Sequence, residues 1–242
     1  MKIPIFYFPK TRFKKYLIIE KTFKCADEII PIGCDCHPAY TLQKLNIRKH
    51  SLPFDWLNTD PLRGLEFVTN NLATSFSGFL SGLYKNERGH PVSERYPYAE
   101  FMHEKNLIEN KLDREKFSRR IIRLEKLRDQ ACYYLYNITG SSLETENHVI
   151  KFYKSVIAFQ SLLKENQLLC IYIRYDESLK ENKHNCEMLL GLISKLSYVK
   201  CSNFYIKNKD KNGIWGNKNK YPMLYKSLGI KISLGLPRIK FH

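Results

Sequence analysis

The sequence predicts an α/β fold: a mostly parallel open sheet flanked by helices, with a long helical hairpin inserted. Three observations predict it. The short apolar runs EIIPIG (28–33), LLCIYIRY (168–175) and NFYIK (203–207) read as strands, the second too apolar to be half exposed. Segments of helical periodicity lie among them, and alternating strands and helices favour parallel pairing. The chain has 242 residues, 43% hydrophobic and 13% aromatic, enough for one sizeable core.

Residues 1–27 form a basic, aromatic-rich lead-in. Tyr16-Leu17-Ile18-Ile19 is a candidate edge strand, and Lys10, Arg12, Lys14 and Lys15 beside Phe6, Phe8 and Phe13 offer peripheral membrane contact. The strand at 28–33 ends at Gly33. Pro38 then fits only the first turn of a helix, Asp35 is a candidate cap, and Ala39, Leu42 and Leu45 make an apolar stripe. Cys36 is thereby expected where a strand hands over to a helix. In SLPFDWL (51–57), Pro53 argues against a central strand. Thr59 or Asp60 caps a helix that has Pro61 in its first turn and runs toward Leu72. Residues 73–98, containing NERGHPVSERYP, read as the flexible loop of the domain.

A long helix is expected over 109–136, with Phe117, Ile121, Leu124, Ala131 and Leu135 on one face. Gly140-Ser141-Ser142 breaks it, and a second helix follows over 144–165 with Val149, Tyr153, Val156 and Ile157 inward. These two are expected to pack as a hairpin. Beyond the strand at 168–175, a helix over 184–197 buries Cys186, Leu189, Leu190, Ile193 and Leu196. KNKDKNGIWGNKNKY (207–221) reads as a loop and IKISLG (230–235) as a short strand.

Net charge is +16, from 40 Lys+Arg against 24 Asp+Glu, which favours anionic partners. The lysines, however, are spread among many Asn, Ile and Tyr, as in a compositionally biased genome. No RNP-type motif, zinc-finger spacing or basic helix with heptads is present, so nucleic acid is not the expected partner. No apolar run reaches membrane-span length, and the first residues lack a signal-peptide layout; the expected location is cytoplasmic. The seven cysteines are odd in number and irregularly spaced, so they read as reduced thiols, either core or chemical. Cys34, Cys36 and His37, with Cys25 upstream, lack zinc-site spacing, and no metal is expected.

The chemistry concentrates in Gly33-Cys34-Asp35-Cys36-His37-Pro38. Unpaired N–H groups at a helix start stabilise a thiolate and can hold an oxyanion. Cys36 is nearer that start than Cys34, which makes it the candidate nucleophile; the alternative is a small buried residue. His103, in YAEFMHEKN, is the candidate general base, against the plainer reading of a surface histidine. His37 is the rival, although a neighbour one residue along usually points elsewhere. Asp55, between two aromatics, is a partner for a His or Arg, or a structural cap. Arg174 emerges at a strand's carboxyl end, where open α/β sheets bind ligands; it holds an anionic substrate or pairs with Asp55.

The run IIPIGCDCHPAYTLQKLNIRKHSLPFDWL resembles the opening of the DUF1796 family, described as papain-like cysteine peptidases. That opening is a strand, G-x-x-C, a helix ending in L-x-x-x-x-[IL]-R, then S-x-P-F-D-W. Here it is met by Gly33 and Cys36, Leu42 to Arg48, and Ser51, Pro53, Phe54, Asp55 and Trp56. A later F-x-H is met by Phe101 and His103. Two departures are Glu104, where the family often has Asp, and the additional Cys34. The resemblance covers residues 28–206 and implies one papain-like domain over 28–242 after the extension 1–27. It implies Cys36, His103 and Asp55 as catalytic residues, and Gly33, Ser51, Trp56 and Arg174 at the substrate. The substrate would be a small molecule, glycan or peptide, and no cofactor is required. A similar arrangement occurs in WcbI-like capsule-biosynthesis proteins. That similarity implies a second reading, an acyltransferase in surface polysaccharide synthesis with coenzyme A as donor. A third reading is a non-catalytic basic module for nucleic acid or anionic membrane.

Overall fold

In the computed structural model, which describes residues 2–7, 9, 14–175, 180–205 and 213–241, the strands and helices alternate through the middle of the chain. The strands are β1 (Lys2–Tyr7), β2 (Lys14–Glu20), β3 (Phe23–Cys25), β4 (Glu28–Pro31), β5 (Asn58–Thr59), β6 (Leu83–Lys85), β7 (Pro91–Ser93), β8 (Ala99–Glu100), β9 (Cys132–Thr139), β10 (Gln167–Tyr175), β11 (Val199–Tyr205), β12 (Ile232–Leu234) and β13 (Arg238–Phe241). The helices are α1 (His37–Leu45), α2 (Gly64–Ala73), α3 (Lys111–Leu127), α4 (Glu146–Gln160), α5 (Lys180–Ile193) and α6 (Tyr221–Ser227).

The central sheet has the order β11-β10-β9-β4, and every pairing in it is parallel. Side-chain alternation along its strands builds two cores. Tyr134, Tyr136 and Ile138 of β9, with Leu169, Ile171 and Ile173 of β10, face one core with Phe67, Phe117, Phe152 and Leu189 from α2 to α5. Tyr133 and Leu135 of β9, with Cys170 and Tyr172 of β10, face the other core with Leu42 and Leu45 of α1 and Leu224 and Tyr225 of α6. Helices therefore cover both faces, which is why these strands read as continuous apolar runs.

The expected helical hairpin does not form. α3 stops at Leu127, and Cys132–Thr139 is a central strand with all but its last residue buried. The run CYYLYNIT is aromatic and apolar on both faces, as a strand covered on both sides must be. Ala131 and Leu135 lie at helical spacing from Leu124 by coincidence. α4 forms with Val149 and Val156 buried as expected; Phe152 and Phe159 complete its core face, while Ile157 is exposed.

The segment 73–98 is an ordered β-hairpin rather than a flexible loop. β6 and β7 pair antiparallel, β7 is buried throughout, and Ser93 Oγ donates to the Gly78 carbonyl at 3.1 Å. Gly89, at φ 75°, supplies the left-handed residue of its turn. α2 begins at Gly64, later than the proline-led start expected at Pro61. The expected edge strand is instead the middle strand of a three-stranded sheet, β1-β2-β13, which joins the lead-in to the far end of the chain. Phe8, Lys10, Arg12 and Phe13 lie outside the described residues, as do 206–212 of the basic loop. Among the described residues no helix is long and apolar enough to cross a membrane.

Candidate active site

The site sits at the carboxyl ends of β4, β9 and β10. The Ile32 N–H donates to the Leu135 carbonyl at 2.9 Å, so β4 still pairs there, and the chain turns at Gly33 into α1. A Cβ on Gly33 would lie 2.1 Å from Asn137 Oδ1 and 2.4 Å from Pro38 Cγ. Glycine is required because backbone, helix start and the β9 side chain meet without space between them. Gly33→Ala is expected to lower stability by about 2 kcal/mol in urea titrations, the cost of overpacking a filled site. Unchanged stability would show that Asn137 and Pro38 yield freely.

Asp35 organises the turn. Its Oδ1 accepts from the His37 N–H at 2.9 Å and from Asn137 Nδ2 at 3.0 Å. Its Oδ2 forms an ion pair with Arg174 Nη2, and the two side chains are only 22% and 8% exposed. Arg174 also donates through Nη1 to the Ile214 carbonyl at 3.5 Å. Arg174 therefore pairs with Asp35 and not with Asp55, as the sequence had allowed. The reason is topological: β10 lies two strands from β4, and β9 between them contributes Asn137 to the same carboxylate.

Cys36 is the N-cap residue of α1 and is half-buried. The helix start does not make it a ready thiolate. Pro38 has no N–H, and the His37 N–H is already given to Asp35. Burial pushes the Cys36 thiol up, the Asp35 charge adds to the rise, and its own N–H and Arg174 pull back less. The resting residue is a protonated thiol. Cys34 is 2% exposed and burial drives it far higher, so it is a core thiol.

His37 is not the base. Its Nε2 lies 3.2 Å from the Trp215 carbonyl, which can only accept, so Nε2 carries the proton. Nδ1 then accepts from the Tyr172 hydroxyl at 2.6 Å. Burial lowers its pKa to about 3, and the Arg174 charge acts the same way. A neutral imidazole with both nitrogens engaged fixes the start of α1. Trp215 closes this side, its ring stacked 4.0 Å from that of Tyr40.

His103 is exposed and lies edge-on to Trp56 with ring centres 5.9 Å apart. The Arg48 guanidinium lies 5.4 Å from the Trp56 ring and forms an ion pair with buried Asp55. Asp55 also accepts the Leu52 N–H at 2.9 Å, and Arg48 donates to Ser51 Oγ at 3.1 Å. Burial raises the Asp55 carboxyl, and Arg48 opposes the rise. Asp55 is thus an arginine partner and a turn cap. No hydrogen bond joins His103 to Cys36 or to Asp55. The two groups of residues are connected through the backbone: the Thr59 N–H donates to the Cys34 carbonyl at 2.7 Å, and β5 pairs with β8 just before His103.

Residues 27–204 match a protein family described as "Putative papain-like cysteine peptidase (DUF1796)". The chain belongs to the DUF1796 family. Membership points to a cysteine hydrolase as the general class. A mimivirus protein, "Uncharacterized protein R408" of Acanthamoeba polyphaga mimivirus, is 39% identical over 66 residues, which is 27% of this chain and 30% of that protein. The chain thus spans under a third of that relative. No solved structure matches.

In this DUF1796 chain hydrogen bonds and ring contacts tie the motif residues into two sets. Gly33 and Cys36 lie at the strand-to-helix turn, and Ser51, Asp55, Trp56 and His103 lie around Arg48. Asn137, Tyr172 and Trp215 escaped sequence reasoning. Asn137 did leave a signal, a lone amide inside an apolar strand. Trp215 left none, because a tryptophan in a Gly/Asn-rich segment says nothing of what it covers.

Proposed function

We propose that the chain is a cysteine-dependent acyl hydrolase of the papain-like type, with Cys36 as nucleophile and His103 as general base. The observation that carries this reading is a half-exposed thiol at the start of α1, on the carboxyl rim of a parallel sheet, where such folds bind ligands. Cys36 Sγ attacks the acyl carbon and its proton passes to imidazole. The bond to the leaving group breaks as that group takes the proton, and water then hydrolyses the thioester. His103 is assigned because His37 is buried, neutral and hydrogen-bonded at both nitrogens. The base role requires His103 to reach the Cys36 proton in the substrate complex, where catalytic contacts tighten. Transfer from coenzyme A to a glycan hydroxyl would use the same thiol and differ only in the acceptor.

The test is acylation by activated esters and short peptides, followed by mass spectrometry of the trapped adduct. The adduct is expected on Cys36 and absent in Cys36→Ala. His103→Ala is expected to slow turnover while Cys36 still alkylates. An adduct spread over several cysteines would overturn the nucleophile, and unchanged turnover in His103→Ala would overturn the base. Faster product formation with added sugar acceptors would favour transfer.

A further inference from the structure

α3 carries Lys116, Arg119, Arg120 and Arg123 at i, i+3, i+4 and i+7, the spacing of one helix face. That face is basic, and Phe117 and Leu124, about a quarter turn round the helix, are buried. Like charges three and four residues apart oppose helix formation, so the stripe needs counter-charges. Glu104 supplies one: it meets Lys116 at 2.6 Å and Arg120 at 3.4 Å. Asp113 adds to Lys116 at 3.1 Å. Arg123 is held by donating to the Ser51 carbonyl at 2.7 Å, which ties the Arg48–Asp55 turn to α3. Among the described residues neither Arg119 nor Arg123 has an ion-pair partner.

These side chains are not scattered over a convex surface. With Lys49, His50 and Ser51 they line a cavity of about 380 Å³, and no carboxylate is among its lining residues. Lys49 is engaged on one side by Glu28 at 2.6 Å. The remaining charge is positive, gathered in a shallow open depression and set on a helix, which preorganises guanidinium forks for a multiply charged oxyanion.

We propose that this cavity binds the phosphate of a phosphate-bearing ligand, with Arg119 and Arg123 as its principal donors. The cavity touches Ser51 and borders Glu104, the neighbour of His103. If the hydrolase reading holds, the cavity seats an anionic portion of the substrate beside the base. Binding itself needs no turnover, so the two readings fail separately.

The test is calorimetric titration of the full chain with pyrophosphate and with a single-stranded oligonucleotide, each at low and at raised salt. The proteins compared are wild type, Arg119→Glu, Lys126→Glu and Cys36→Ala. Lys126 is exposed on the same helix outside the cavity and controls for general charge. Saturable one-to-one pyrophosphate binding is expected, weakened about tenfold or more by Arg119→Glu, the loss of one charge-assisted contact. Lys126→Glu and Cys36→Ala are expected to leave it within about twofold. Absence of saturation overturns the proposal. So does equal weakening by both charge reversals, or tight oligonucleotide binding without pyrophosphate binding, either of which marks a diffuse polyanion surface. Should Arg119→Glu unfold early in a thermal scan, the milder Arg119→Gln decides, with a loss in the same direction.

Discussion

Asp35→Asn is expected to lower stability by about 3 kcal/mol and at the same time to make Cys36 more reactive near neutral pH. The first effect follows from Arg174, whose side chain is 8% exposed and whose ion-pair partner would be gone. A buried guanidinium left without its carboxylate costs far more than the pair contributes over a neutral substitute. The second effect follows from sign. Asp35 raises the Cys36 thiol and Arg174 lowers it, so removing the carboxylate takes away one influence and unmasks the other. Arg174→Met should act oppositely on the thiol, leaving Asp35 unopposed and Cys36 slower to alkylate. The double variant should recover part of the loss, with a coupling of about 2 kcal/mol, because neither charge is then stranded. Iodoacetamide rates at Cys36 against pH, with urea midpoints for the four proteins, measure both effects. Thiol shifts of the same sign in the two single variants would remove the electrostatic account of the site.

Two parts of the fold were legible in the sequence, the strand β10 and the turn into α1. LLCIYIRY has no helical alternative of sufficient length, and Pro38 after Gly33 fixes where α1 begins. CYYLYNIT was misread because its flanking apolar residues happened to continue the spacing of α3, and only the sheet partners decide between the two periods. The site was legible as motif residues and not as geometry. Asp35 looked like the cap; Cys36 holds that position instead, while Asp35 accepts the His37 N–H and its second oxygen meets an arginine 139 residues away. Asp55 and Arg174 were natural partners by charge alone. Each found a closer one, since Arg48 lies seven residues from Asp55 and Asn137 of β9 holds Asp35 beside β10. The expectation of an acidic thiol failed for a local reason: the amide that would have faced the sulfur is held by Asp35.

His37 makes the fold sensitive to acid. In the folded chain burial holds its pKa at about 3, whereas an exposed histidine titrates near about 6.5. Above the higher value neither state carries the proton, and the buried ring contributes its full stability. Below it the unfolded chain takes up a proton that the folded chain refuses. Stability therefore falls as pH drops from about 6.5 toward about 3, by about 1.4 kcal/mol per unit. At about pH 5 the loss from this one ring is about 2 kcal/mol. His37→Asn keeps an acceptor close to the Nδ1 position for the Tyr172 hydroxyl and does not titrate. It is expected to be less stable at neutral pH, because the bond to the Trp215 carbonyl is lost, and to approach wild type as the solution is acidified. Urea midpoints of the two proteins at about pH 7.5 and about pH 5 measure this, and the carboxylates common to both cancel in the difference. A gap that stays constant across that range would mean that the folded chain protonates His37 as readily as the unfolded one, and that the imidazole is not held neutral between Tyr172 and Trp215.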